Sequence, residues 1–211
     1  MESLLEEKLH PAQTGLIVID IQNDFCHEHG AFSKGKRDLS MIQEIIPRLL
    51  GLIEHVRKVR LPVIYVRTTH DDWTNSNAYL QINKLRKRSP ICSSGTWGAE
   101  FFKLSPQRDE YIVTKHRYSA FQGTDLEMVL RSRGIETLLV SGIMTNVCVE
   151  STLRDAFSRD FFPILLEDCV ASDRRDLHRA TIENVRDYFG IVTCTEALLK
   201  IWQQRYGKKF L

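Results

Sequence analysis

Six short apolar runs are spaced along the chain, and each has the length of a β-strand. The runs are continuous rather than alternating with polar residues, which is typical of strands buried on both faces in a parallel sheet. They comprise residues 15–19, 62–66, 110–113, 137–140, 162–166 and 191–193.

Helical patterns lie between these runs. The clearest is a stripe of apolar residues at three- and four-residue spacing from Ile42 to Val56. A shorter stripe includes Leu126 and Leu130 and stops before Gly134, a residue that can end a helix in the left-handed conformation. Strand and helix therefore alternate, and this order predicts a three-layer α/β fold with a parallel sheet of about six strands.

One domain is expected over residues 1–211, because no repeat, low-complexity segment or Gly/Ser linker divides the chain. The segment from His70 to Gly98 interrupts the alternation, since it is long, polar and rich in aromatic residues. Segments of this length inside a compact domain are commonly functional or flexible. We therefore predict that it forms either a lid over a site or a contact between subunits.

The composition is that of an ordinary globular protein, with 43% hydrophobic and 27% charged residues. The formal net charge is +2 and both signs are interspersed, so no nucleic-acid partner is expected. The N-terminal residues lack the apolar core of a signal peptide, and no stretch approaches the roughly 18 apolar residues of a membrane span. We therefore expect a cytoplasmic protein without a membrane partner.

The cysteines form an odd set without a Cys-x-x-Cys pair, which argues against a disulfide framework and against a zinc site of the usual spacing. At least one thiol is therefore expected to be free. The five are Cys26, Cys92, Cys148, Cys169 and Cys194.

Asp20, Lys115 and Cys148 each come at or just beyond the carboxyl end of a predicted strand. Open α/β sheets bind their ligands at that edge, so these side chains are candidates for chemistry. Each also has a structural interpretation. Cys148 can be a buried core cysteine, Asp20 a turn residue, and Lys115 part of a solvated basic cluster with the next two residues.

Cys148 is well placed to act as a nucleophile. Thr145 or Asn146 can cap a helix that runs towards Phe157, which would put Cys148 in the first helical turn. The positive end of the helix dipole favours a thiolate there, and an adjacent cation can lower the pKa of such a thiol by about one unit or more.

Asp20 and Lys115 can support that nucleophile. A carboxylate that is partly desolvated in a cleft can take the proton of a thiol or of a water molecule. A lysine beside it would stabilise both the thiolate and an anionic tetrahedral intermediate.

Three segments around these residues resemble the signature segments of the isochorismatase-like cysteine hydrolases. They are residues 18–25 (VIDIQNDF), 115–121 (KHRYSAF) and 142–149 (GIMTNVCV). The resemblance extends from about Thr14 to Ala197 and is specific because the three segments occur together. It implies an α/β hydrolase whose catalytic triad is Asp20, Lys115 and Cys148.

In this family the thiolate attacks a carbonyl group, an amine or ammonia leaves, and water releases the acid from an acyl-enzyme. The resemblance also implies a cis peptide bond between Ile143 and Met144. The backbone N–H groups of Met144 and Cys148 would then form the oxyanion hole.

Within the superfamily, residues 131–135 and 146–155 are most similar to ureidoacrylate amidohydrolases and to their relatives that act on biuret. This similarity implies a small amide, ureido or carbamoyl substrate.

Residues that would bind the ureido group in this branch come from the end of the second strand and from the segment before the third. The nearest positions here are Thr68 and Glu100, where amide side chains are expected, so the identity of the substrate stays open. Tyr118 matches a pocket tyrosine. Phe25 and Phe121 are candidates for the pocket wall, with ordinary core packing as the alternative.

Nicotinamidases of the superfamily bind a divalent ion through an Asp-x-His pair and a further histidine. The order is reversed at His70-Asp71-Asp72, so we interpret His70 as a loop histidine. We predict no metal and no cofactor.

Three alternatives remain: an isochorismatase-type vinyl-ether hydrolase, which does not need the cysteine, a non-catalytic scaffold with the same fold, and a cysteine enzyme that uses histidine. No histidine has an evident role as partner, since His116 next to Lys115 would point to the opposite face of an extended segment. The resemblance further implies a dimer or tetramer. The segment after His70 and residues 197–211, with Ile201, Trp202 and Tyr206, are candidate subunit contacts.

Overall fold

The apolar runs form the strands of one sheet in the computed structural model, which describes residues 2–207. All neighbouring strands are parallel, and their order is β3-β2-β1-β4-β5-β6. The predicted α/β fold with a six-stranded parallel sheet is therefore confirmed. The strands are β1 (Thr14–Ile19), β2 (Val63–Thr68), β3 (Tyr111–Lys115), β4 (Thr137–Ile143), β5 (Phe162–Ala171) and β6 (Ile191–Thr193).

Helices connect the strands and cover both faces of the sheet. They are α1 (Glu2–Lys8), α2 (Asn23–Cys26), α3 (Ala31–Lys34), α4 (Ser40–Lys58), α5 (Asn77–Leu85), α6 (Leu126–Ser132), α7 (Glu150–Phe157), α8 (Arg175–Asn184) and α9 (Thr195–Tyr206). Gly134 follows α6 with φ 65°, as predicted for a residue that ends a helix.

Strand β1 shows how the two apolar layers arise. Its residues alternate between the faces of the sheet, so Leu16 and Val18 pack with α4 and α9, whereas Ile17 and Ile19 pack with α6 and α7. Because both faces are covered, every residue of β1 is buried. This explains the continuous apolar run in the sequence.

Strand β5 extends beyond the predicted run. The polar pair Glu167 and Asp168 interrupts the apolar pattern, but pairing resumes where Val170 and Ala171 lie beside β4. Asp168 accepts hydrogen bonds from the backbone and side chain of Thr195 at the start of α9, so its carboxylate is partnered.

The C-terminal helix packs inside its own chain. Trp202 is fully buried, and its indole Nε1 donates to the backbone carbonyl of Leu9 at 2.9 Å. Ile201 is also buried in the same apolar layer. The prediction that these two residues contact another subunit is therefore wrong, because the apolar face of α9 covers the sheet. Residues 208–211 of the predicted contact lie outside the described residues.

The segment 70–98 contains α5, and none of the residues of this helix is buried. The basic residues Lys84, Arg86, Lys87 and Arg88 at its end are exposed. A role of the segment as a lid or as a subunit contact stays a prediction. Within residues 2–207, no helix combines the length and the apolar character that crossing a membrane requires.

Gly142 brings β4 close to β1 near the carboxyl edge of the sheet. Its φ is 111°, and a Cβ atom at this position would lie 2.1 Å from the backbone oxygen of Ile19. A side chain would therefore force the two strands apart. The chain leaves β4 directly after this close approach and enters the turn that carries Cys148.

Candidate active site

The register of the sheet brings the strand-end residues together. Ile19 lies beside Gly142, and Thr68 lies beside Lys115. Asp20 follows β1 with φ 54°, a left-handed conformation that Asp tolerates better than most residues, and its N–H donates to the carbonyl of Val66. The three candidate side chains thus converge over the middle of the sheet.

Asp20, Lys115 and Cys148 form one buried cluster. The Nζ of Lys115 lies 2.7 Å from Oδ2 of Asp20 and 3.4 Å from Sγ of Cys148. Both charged side chains are only 1% exposed. Lys115 also donates to the backbone carbonyl of Arg117, which fixes its ammonium between the carboxylate and the sulfur.

Cys148 lies in a π-helical turn, Thr145–Val149, that leads directly into α7. Met144 precedes this turn, and no side chain caps it. The expectation that Thr145 or Asn146 is the N-cap was therefore wrong. Their side chains bond elsewhere, Thr145 with His178 and Asn146 with Ser172, so the wider turn rather than a capped α-helix presents the sulfur.

Burial raises the pKa of the Cys148 thiol to about 12. The charge of Lys115 opposes this shift, whereas the nearby Asp20 carboxylate adds to it. The expectation of a lowered thiol pKa is thus not met in the cluster, because desolvation outweighs the single cation. The cluster therefore favours the protonated thiol over the thiolate.

The charge state of Lys115 is set by its two neighbours. Burial disfavours the ammonium, but the Asp20 carboxylate and the Cys148 sulfur outweigh burial and hold the pKa of Lys115 above its ordinary value. Neither carboxylate oxygen of Asp20 accepts a backbone hydrogen bond from the described residues. The lysine is consequently the cation that balances this buried carboxylate.

The peptide bond between Ile143 and Met144 is cis, as predicted from the family resemblance. Met144 is buried, and its carbonyl accepts hydrogen bonds from the N–H groups of Val147 and Val149. The carbonyl is thus directed into the turn that carries Cys148.

Three polar residues, Gln22 to Asp24, follow Asp20 and Ile21 and hold the segment 92–100 beside the cluster; sequence reasoning did not assign them this role. Gln22 is fully buried, accepts from the N–H of Thr68, and donates from Nε2 to the carbonyls of Thr68 and Ala99. Asn23 donates to the carbonyl of Trp97. The signal available in the sequence is a run of polar residues immediately after a buried strand.

Asp24 completes this attachment. Its carboxylate accepts from the backbone N–H of Ala31 and from that of Cys92, at 3.0 and 2.6 Å. These bonds give Asp24 a structural role. The C-terminal part of the segment 70–98 is therefore attached to the residues that follow β1, through bonds at Cys92 and Trp97.

Residues 14–197 match the isochorismatase domain family. The ureidoacrylate amidohydrolase RutB of Methylobacterium radiotolerans is 35% identical over 204 residues, which cover 88% of this chain and 78% of that protein. The chain belongs to the isochorismatase family. The membership predicted from the three signature segments is thus confirmed.

Solved structures of isochorismatase-like proteins share the fold. A cysteine hydrolase from Pseudomonas syringae pv. phaseolicola superposes with a TM-score of 0.82 at 29% identity, covering 94% of this chain and 96% of that one. N-carbamoylsarcosine amidase from Thermoplasma acidophilum gives 0.70 at 28% identity, with coverages of 86% and 96%. The chain is therefore an isochorismatase-like hydrolase.

Thr68 and Glu100, predicted to contact substrate, have different surroundings. Thr68 is buried, and its hydroxyl donates to the backbone carbonyl of Lys115 at 3.3 Å, so this donor is already used. Glu100 is exposed, and its backbone carbonyl accepts from the N–H of Asn23. Thr68 thus supports the lysine of the cluster, whereas the carboxylate of Glu100 faces solvent.

The three aromatic residues predicted to line the pocket differ in their burial. Phe25 is buried edge-on against Phe32, and Phe121 is buried at 5.7 Å from Phe161 in the apolar layer that includes Cys148. Tyr118 is 49% exposed. The two phenylalanines therefore pack in the core, whereas Tyr118 is exposed at the surface. Contact with substrate stays a prediction for all three.

His70 lies at a groove of about 580 Å³ between α5 and residues 88–94. Its ring stacks on Tyr79 at 4.4 Å, and Nδ1 is 3.0 Å from the side-chain oxygen of Asn75. Burial lowers the pKa of His70, and the charge of Lys115 also acts in this direction. Within residues 2–207, no group of three or more His, Cys, Asp or Glu side chains is arranged to hold a metal ion.

Proposed function

We propose that this hydrolase cleaves the C–N bond of a small amide, ureido or carbamoyl compound through an acyl-enzyme on Cys148. The observation that carries the proposal is the buried cluster in which Lys115 lies 2.7 Å from Asp20 and 3.4 Å from Cys148. The relatives named as ureidoacrylate amidohydrolase and N-carbamoylsarcosine amidase support the ureido class.

Asp20 acts as the general base in the first step. Because the raised pKa of Cys148 keeps the thiol protonated, the carboxylate takes this proton as the sulfur attacks the carbonyl carbon. Lys115 keeps its charge and stabilises the developing thiolate. The C=O electron pair moves onto oxygen and forms a tetrahedral intermediate.

The negative oxygen is bound by the backbone N–H groups of Met144 and Cys148. Donors that are fixed before reaction stabilise this charge without reorganising, which is a large contribution in a buried site. The C–N bond then breaks, and protonated Asp20 gives its proton to the leaving nitrogen.

Water releases the product in the second half of the reaction. Asp20, again a carboxylate, takes a proton from water while the water oxygen attacks the thioester carbon. The S–C bond breaks, and the proton returns to the sulfur of Cys148. The enzyme is thus restored, and the products are an acid or carbamate and an amine or ammonia.

The test measures ammonia release from a ureidoacrylate-type acid, biuret, N-carbamoyl amino acids and nicotinamide. Wild type is compared with Cys148→Ala and with a matched control, Cys194→Ala, which removes a free cysteine that is only partly buried. We expect hydrolysis of at least one ureido or carbamoyl compound, unchanged in Cys194→Ala. The loss in Cys148→Ala should be at least about a thousandfold.

The acyl-enzyme can be detected separately. Rapid acid quenching during turnover, followed by mass spectrometry, should show the acyl mass on the peptide that contains Cys148. Activity that survives in Cys148→Ala would refute covalent catalysis. A panel without hydrolysis, together with turnover of a vinyl ether, would point to the isochorismatase-type reaction instead.

A further inference from the structure

The turn that carries Cys148 is hydrogen-bonded to α8. Oγ1 of Thr145 lies 2.9 Å from Nδ1 of His178. One helical turn further along α8, the hydroxyl of Thr181 donates to Oε2 of Glu150 at 2.6 Å. Two residues of α8 therefore hold the beginning and the end of the turn.

Thr145 lies between the two residues whose N–H groups form the proposed oxyanion hole, because it directly follows Met144 and precedes Cys148. It is fully buried, and its carbonyl accepts the N–H of Glu150, so its backbone is part of the turn. His178 is the side-chain partner of its hydroxyl. A displacement of Thr145 would thus move the Met144 N–H on one side and the Cys148 N–H on the other.

His178 is suited to hold this position as a neutral ring. It is half-buried, and burial together with the charges of Arg175 and Arg179 lowers the pKa of His178. A neutral imidazole carries both a donor and an acceptor, so Nδ1 can pair with the threonine hydroxyl in either direction.

We propose that His178 is a positioning residue for the oxyanion hole, which it orients through its hydrogen bond to Thr145. This inference rests on the proposed function, because it assigns a task within that reaction. In this role His178 acts through Thr145 and not directly on the substrate or on the reacting sulfur. It fixes the backbone whose N–H groups meet the negative oxygen.

The test compares His178→Ala, His178→Asn and Leu177→Ala. Asparagine offers both a donor and an acceptor at the position of Nδ1, so it keeps the hydrogen bond to Thr145. Leu177 is the preceding residue on α8, is exposed and carries no charge, which makes it a matched control. We expect kcat to fall about tenfold to a hundredfold in His178→Ala, as for a displacement of catalytic groups by about 1 Å.

KM should change little in His178→Ala, because the lost interaction is made in the transition state. His178→Asn should recover most of the activity, and Leu177→Ala should match wild type. Thr145→Val should lose as much kcat as His178→Ala, and the double variant should lose no more than either single variant.

Two further measurements separate this role from general damage. Alkylation of Cys148 by iodoacetamide develops no oxyanion, so its rate should be unchanged in His178→Ala. An aldehyde analogue of the substrate forms a tetrahedral adduct with the thiol, so its binding should weaken in proportion to kcat. If alkylation instead falls together with kcat, the sulfur is displaced and the proposal is overturned.

A wild-type kcat in His178→Ala would also overturn the proposed role of His178. The proposed function would still stand in that case, provided that the activity depends on Cys148. Conversely, a protein whose amide hydrolysis does not need Cys148 would disprove the proposed function itself. If His178→Ala does not fold, His178→Asn and Thr145→Val carry the comparison, and equal activity of these two variants would refute the role.

Discussion

The ammonium of Lys115 lies 2.7 Å from the carboxylate of Asp20, and each side chain is 1% exposed. Burying a single charge is costly, so each residue depends on the other to remain in the interior. The pair arises because Asp20 follows β1 and Lys115 ends β3, on either side of β2. This relationship makes the cluster a stability element as well as a candidate for catalysis.

Removal of the lysine alone should destabilise the fold. Lys115→Met leaves the Asp20 carboxylate buried without a cation, and we expect a loss of about 3–5 kcal/mol in the free energy of unfolding, measured by urea denaturation. Adding Asp20→Asn should restore much of this loss, because asparagine is neutral and also tolerates the positive φ of this position. A double variant whose losses simply add would contradict the pairing.

The sequence predicts the sheet and the three site residues for a physical reason. Strands covered on both faces must be apolar throughout, and ligand-binding residues follow such strands at one edge of the sheet. Asp20, Lys115 and Cys148 can therefore be picked out as candidates from their positions at the ends of apolar runs. The end of β5 was missed because the polar Glu167 and Asp168 interrupt its pattern, although pairing to β4 continues beyond them.

The properties that depend on distant contacts could not be predicted. Gln22 bonds to backbone groups at Thr68 and Ala99, which are 46 and 77 residues away. The pKa of Cys148 likewise depends on burial by several elements, and not on the helix end alone. The local pattern around Cys148 favours a thiolate, but the tertiary environment favours the thiol.

The reactivity of Cys148 should follow its raised pKa of about 12. Below this value the thiol is mostly protonated, so the thiolate fraction rises about tenfold for each pH unit. We therefore expect the rate of Cys148 alkylation by iodoacetamide to increase from pH 6 to pH 9 without a plateau. A short blocked peptide with one cysteine, used as the reference thiol, should begin to level off near its pKa of about 8.5.

Mass spectrometry of the peptide that contains Cys148 measures this rate separately from the other cysteines. A plateau below pH 8 would show that the free enzyme holds a thiolate. In that case the proton transfer to Asp20 would precede substrate binding.

Gln22 should contribute to stability through its backbone partners. Gln22→Ala leaves the N–H of Thr68 and the carbonyl of Ala99 without these bonds in the interior, and we expect a loss of about 3 kcal/mol. Activity should fall as well, because Thr68 supports the carbonyl of Lys115. The matched control is Gln81→Ala, since Gln81 is exposed and bonds only to Asn77 in the described chain.

Chemical denaturation of both glutamine variants gives the comparison, with less than about 0.5 kcal/mol expected for Gln81→Ala. Equal effects of the two substitutions would mean that the buried bonds of Gln22 are replaced by water at no cost.

The last prediction concerns Trp202, whose burial within its own chain replaces the predicted subunit contact. Trp202→Ala removes a fully buried indole and its bond to Leu9, so we expect a loss of about 3–5 kcal/mol in the free energy of unfolding. Trp73→Ala is the matched control, because Trp73 is 97% exposed, and it should change the free energy by less than about 0.5 kcal/mol. If Trp202 instead contacted a second subunit, the loss would depend on protein concentration. Denaturation of both variants at two concentrations tenfold apart therefore distinguishes packing within the chain from packing between chains.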